Sequence, residues 1–110
     1  MSDLISFDEF MRLDLRVVKV VKAEPIVGKR KILNLTVEVE AGKTRTLVAG
    51  GAEYYPPEHF VGRKFVALVN LETRRIANVE SQGMMLAAMF GDKPIWLTVE
   101  EDVPSGARVR

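Results

Sequence analysis

Between Ile32 and Glu40 the chain alternates strictly. Leu33, Leu35, Val37 and Val39 fall on one side, and Asn34, Thr36, Glu38 and Glu40 on the other. A two-residue period places successive side chains on opposite faces of an extended chain, so this segment is a strand with one buried and one wet face. Ala41-Gly42-Lys43 is a tight turn, and the alternation resumes from Thr44 to Ala49, so 32–49 reads as a hairpin. The period recurs around it. Leu13, Leu15 and Val17 alternate with Asp14 and Arg16, and the doubled Val17-Val18 and Val20-Val21 then slip the phase, as a bulge or sharp coil does. Arg63 to Leu71 places Phe65, Ala67, Val69 and Leu71 on one face. Gly83 to Met89 is apolar on both faces, Ile95 to Val99 is a further strand, and Val103 to Val109 is a tail returning to the sheet.

Helical patterns are short. Ser6-x-x-Glu9 is a capping box, and Phe7, Phe10 and Met11 follow at helical spacing, which predicts a helix over 7–11. Glu53 to Phe60 has room for one or two helical turns, with Pro56-Pro57 limiting their start. Glu24-Pro25-Ile26-Val27-Gly28 and the polar, basic stretch from Glu72 to Gln82 read as loops. The order is three strands, a short helix, then two strands. That is the all-β, five-stranded Greek-key barrel called the OB-fold, here with an extra C-terminal strand. A small sandwich fits the alternation alone but does not ask for a helix at that place.

A chain of 110 residues is a single domain, 1–110. The absence of cysteine excludes disulfides, thiolate metal sites and thiol nucleophiles. One histidine, His59, leaves neither a multi-histidine metal centre nor a Ser-His-Asp triad. The expectation is a protein that is not an enzyme, with no catalytic residue, metal or cofactor. The Glu100-Glu101-Asp102 run reads as a solvated tail. No apolar run approaches the ~20 residues of a membrane span. Met1 to Asp14 is mixed and acidic rather than leader-like, so the expected location is the cytoplasm.

With a net charge of +1, distribution must decide whether a polyanion binds. An OB-fold presents its ligand face on strands two and three, flanked by the loops between strands one and two and between strands four and five. The first of those loops, Pro25 to Lys31, carries Lys29-Arg30-Lys31 and the second, Glu72 to Gln82, carries Arg74-Arg75, so five of the 16 basic residues frame one groove. One basic cluster alone is ordinarily a solvated loop; two clusters at the two ligand loops put phosphate contact on an equal footing. The central hairpin contains no aromatic residue for stacking. Single-strand binders rely on such platforms, so the pattern points to folded RNA read by shape and backbone. Several residues admit two readings. Ser81 and Gln82 form a turn or bond ribose and phosphate, Asn70 caps a turn or binds RNA, and one of Met84 and Met85 faces the core. Tyr54-Tyr55 read as packing the helix onto the barrel, with stacking on bases as the other reading.

These residues carry a resemblance. Leu13-Asp14-Leu15-Arg16-Val17, Lys19-Val20, Asn70-Leu71, Arg74 and above all Val79-Glu80-Ser81-Gln82-Gly83-Met84-Met85-Leu86-Ala87-Ala88 resemble the tRNA-binding OB domain family. That family includes the C-terminal appendage of many methionyl-tRNA synthetases, its free-standing beta-subunit form, the C-terminal domain of a eukaryotic synthetase cofactor, and stand-alone bacterial tRNA-binding proteins. The resemblance covers about 7–109. It implies tRNA contact by Lys29, Lys31, Asn70, Arg74, Arg75, Ser81, Gln82 and Met84. It also implies a homodimer and an accessory, non-catalytic role in trans beside a methionyl-tRNA synthetase catalytic subunit. Val18 stands where the family usually has glycine, and Glu72-Thr73 where it often has Lys-Pro, which removes one cation. The alternative is a protein-interaction or chaperone module of the same fold. The secretion-chaperone branch lacks the Ser-Gln-Gly-Met run, which disfavours it.

Overall fold

The computed structural model describes residues 3–110. It opens with helix α1 (Phe7–Met11). The predicted capping box forms: Glu9 N donates to Ser6 Oγ at 3.0 Å, and Ser6 N donates to Glu9 Oε1 at 2.9 Å. Strands β1 (Leu15–Ile26), β2 (Lys29–Glu40) and β3 (Lys43–Gly50) follow. A 3-10 turn (Pro57–His59) leads to β4 (Lys64–Leu68), β5 (Arg74–Ile76), β6 (Val79–Ser81), β7 (Met84–Met85), β8 (Ala87–Phe90) and β9 (Lys93–Trp96). The main sheet is antiparallel, in the order β3-β2-β1-β4-β7, while β5–β6 and β8–β9 are separate hairpins.

The alternating faces of 32–49 are where the period places them. Leu35 and Leu47 are cross-strand partners, both fully buried, and they belong to one core with Phe60 and Phe65. Burying each such side chain contributes about 1.5–3 kcal/mol. The phase slip in β1 is a bulge: Val20 pairs with Val37 and Lys22 with Thr36, which leaves Val21 between ladder positions. Val17 and Val18 are buried on opposite faces because the returning tail covers the outer one. Val17 N donates to Ala107 O, and Gly106 N donates to Val17 O.

Five expectations are corrected. The segment Pro25 to Lys31 is not a loop: β1 runs to Ile26 and turns through Val27-Gly28 directly into β2, an arm beyond the sheet's core. Glu72 to Gln82 holds the β5–β6 hairpin. The strand expected over 83–89 divides at Leu86, whose N–H donates to Val66 and whose carbonyl accepts from Leu97, so the chain changes partner from β4 to β9. The helix over 53–60 contracts to one 3-10 turn, since Pro56 and Pro57 lack the N–H groups a longer helix would use. Finally, the sheet does not close as a laddered barrel. Between β3 and the chain entering β7, the one backbone bond runs from Gln82 N to Thr46 O, and side chains make the other links. Gly83, at φ +146°, draws the chain inward there, and a Cβ on it would lie 2.7 Å from Leu68 O.

Candidate nucleic-acid interface

The outer face of β2 and β3 presents Asn34, Thr36, Thr46 and Val48, with Asn34 opposite Val48 and Thr36 opposite Thr46. All four are half-buried. On one flank the arm begins β2 with Lys29, Arg30 and Lys31, all exposed. Ile32 pairs with Gly50, and Lys31 O accepts from Ala52 N, which ties the arm's root to the end of β3.

The other flank is the β5–β6 hairpin, in which Arg74 pairs with Ser81 and Arg75 with Glu80. Ala77 and Asn78 both have positive φ (50° and 66°), as a two-residue primed turn requires. The hairpin is fastened to β3 by side chains. Ser81 Oγ accepts from Val48 N at 3.0 Å and donates to Gly83 O at 3.2 Å. Thr46 Oγ1 donates to Glu80 O at 2.6 Å, and Gln82 Oε1 accepts from Thr46 N at 3.1 Å. The arm is thus joined to β3 at Gly50 and the hairpin at Val48, two residues apart, or about 7 Å at a strand's rise. Arg75 pairs with Glu80 at 3.8 Å, both well exposed, which leaves its charge largely available.

The eight predicted positions therefore separate. Lys29, Lys31, Arg74, Arg75 and Gln82 flank the β2–β3 face. Met84 is half-exposed opposite Leu68, while Met85 enters the core. Met84 lines a cleft of about 560 Å³ with Gly50, Gly51, Met89, Pro94 and Trp96. Ser81 is 2% exposed, so no solvent ligand reaches its hydroxyl; it holds the hairpin. Asn70 lies just past the end of β4, where Oδ1 accepts from Asp14 N at 2.9 Å and Nδ2 donates to Arg12 O at 2.7 Å. Its amide locks the α1–β1 junction.

Sequence reasoning missed Lys93. Its ammonium lies 5.7 Å from the Tyr54 ring centroid and 5.6 Å from that of Tyr55. Tyr55 packs as expected, its hydroxyl donating to Pro94 O at 2.8 Å, but Tyr54 stays 46% exposed. No period in the sequence brings 93 to 54; only the β8–β9 fold-back does. His59 stacks on Tyr55 at 4.5 Å, and burial together with Arg63 holds its pKa below the usual imidazole value. Among the described residues no cluster of three or more His, Cys, Asp or Glu could hold a metal ion, and no helix is long and apolar enough to cross a membrane.

Residues 15–108 match the family described as "Putative tRNA binding domain". The chain belongs to this family. Its relatives include the methionine–tRNA ligases of Thermotoga maritima (43% identical over 98% of this chain) and Methanothrix thermoacetophila (45% over 97%). The chain spans only 17% and 16% of those two proteins. Among solved structures, the MetRS related protein of Pyrococcus horikoshii superposes with a TM-score of 0.91 at 40% identity, covering 99% of this chain and all of that one. The chaperone CsaA of Bacillus anthracis shares the fold, with a TM-score of 0.88 at 24% identity over 98% of this chain and all of its own.

Proposed function

We propose that this member of the family is a non-catalytic tRNA-binding protein that reads tRNA by shape and backbone and assists a methionyl-type aminoacyl-tRNA synthetase in trans. The observation that carries the reading is the attachment of two basic segments, 43 residues apart from Lys31 to Arg74, to β3 at Gly50 and Val48. Two basic segments fastened to the two sides of one strand can take phosphates of the same folded RNA. In this reading Lys29, Lys31, Arg74 and Arg75 take phosphates, Gln82 and Met84 meet the backbone beside them, and Ser81 and Asn70 hold the surface in shape. Weak contact beside a catalytic partner raises the local concentration of tRNA there. Such a protein works in the cytoplasm.

The architecture is read as an OB-fold opened at one seam, with Gln82 and Thr46 standing in for the missing ladder. A homodimer is supported by what the single chain leaves uncovered: Phe90 is 79% and Phe7 74% exposed. Light scattering should give twice the chain mass, and a chain mass at all concentrations overturns the dimer. The test of the main reading is filter binding of several tRNA transcripts over a salt series. The expected result is similar affinity for each and steep weakening with salt; no binding at low salt overturns it. A second reading, a module that grips extended apolar segments, draws on the Met84–Met89 cleft, and it predicts peptide binding with tRNA ignored.

A further inference from the structure

We propose that Tyr54, flanked by Lys93, is a stacking shelf for one unpaired base of the bound RNA; this rests on the tRNA-binding reading. The shelf is built, not incidental. Gly51 takes φ +82°, and a Cβ there would fall 2.6 Å from Pro94 Cγ. Its missing side chain lets the β8–β9 hairpin close onto the turn after β3, which carries Lys93 up to the two tyrosine rings. Tyr55 is fixed by its bond to Pro94 O and its stack on His59, while the Tyr54 ring stays half in solvent. The turn bearing Tyr54 is tied to the root of the arm through Ala52 N and Lys31 O, so the shelf adjoins Lys31.

A ring half in solvent, with the Lys93 ammonium over it, is a combination that holds unpaired nucleotides. The ring stacks on the base whatever its identity, and the cations meet the flanking phosphates. A phosphate-only surface has no use for an exposed ring. The shelf therefore favours RNA with a base out of its stack over a continuous duplex.

The test compares a tRNA transcript with a fully paired RNA duplex of similar length, both by filter binding at fixed salt. Tyr54→Ser should weaken tRNA binding about tenfold, within the range one stacked base contributes, and leave the duplex unchanged. Tyr54→Phe keeps the ring and should stay within about twofold of the parent. The salt dependence of Tyr54→Ser should match the parent's, because no phosphate contact is lost. Equal losses on tRNA and duplex, an unchanged Tyr54→Ser, or a Tyr54→Phe as weak as Tyr54→Ser each overturn the shelf while leaving tRNA binding in place. A parent chain that binds no tRNA overturns the underlying reading instead.

Discussion

Ser81 Oγ accepts a hydrogen bond from the main-chain N–H of Val48 at 3.0 Å and thereby fastens the β5–β6 hairpin to β3. The hydroxyl is buried, and its own proton goes to Gly83 O at 3.2 Å. Ser81→Ala leaves Val48 N without that partner. The expected cost is about 1–3 kcal/mol. For a domain of this size that lowers Tm by roughly 5–15 °C, as a thermal melt would read. A tRNA affinity that falls with little change in its salt slope would match the positioning role.

Gly83 sits two residues further on and admits no side chain. Its φ is +146°, and an added Cβ would meet the backbone oxygen of Leu68 at 2.7 Å and the Leu47 side chain at 3.0 Å. The oxygen belongs to β4, which pairs with β1 and β7, so it has nowhere to move. Gly83→Ala should destabilise by about 3 kcal/mol through backbone strain. Urea unfolding should show a lower midpoint with an unchanged m-value, which separates a strained native state from an altered unfolded one.

The parts of this molecule legible in the sequence are those with a period long enough to count. Leu33 to Glu40 gives four periods of a two-residue alternation, and Ser6-x-x-Glu9 names both partners of its own cap. The site's flanks lack that length. Strands of three residues, Arg74–Ile76 and Val79–Ser81, show no period, and their turn is Ala77-Asn78 rather than a glycine-bearing pair. Pro25 and Gly28 signal a loop, yet Pro25 stands opposite Leu33 within the arm, where its missing N–H lies in a ladder already disturbed by the shift at Ile26. The seam between β3 and β7 is invisible for a different reason. It is closed by Ser81, Gln82 and Thr46 side chains, and residues 33–36 positions apart in sequence leave no pattern of their meeting.

Removing one cation from each flank tests whether both serve one ligand. Lys31→Ala and Arg74→Ala should each weaken binding of different tRNAs alike. Each should flatten the log–log salt dependence by about 0.9, one phosphate equivalent, and the pair by about twice that. Both residues are exposed, so folding should be unaffected. Filter binding over a salt series reads slope and affinity together. A loss confined to one tRNA, or a slope that does not change, would count against backbone recognition.

Asp14 and His59 each make stability fall in acid, at different depths of pH. The Asp14 carboxylate accepts both a 2.9 Å and a 3.0 Å bond from the Arg16 guanidinium. That bond, with Arg16, Arg108 and Arg45 as neighbouring charges, outweighs burial and holds its pKa below the usual carboxylate value. The folded chain then binds fewer protons here than the unfolded chain. Its contribution is complete above the ordinary carboxylate range and is lost as pH drops through the folded pKa. His59 acts in the same direction higher up, because burial, and then Arg63, favour its neutral form. The unfolded chain takes up that proton first, so stability declines as pH falls below the ordinary imidazole value. Urea midpoints taken from neutral pH into acid should show both declines. Asp14→Asn should reduce only the acidic limb, to which the similarly lowered Glu38 and Asp102 also contribute, and His59→Gln only the limb just below neutrality. A parent chain whose midpoint rises as pH falls would reverse both assignments.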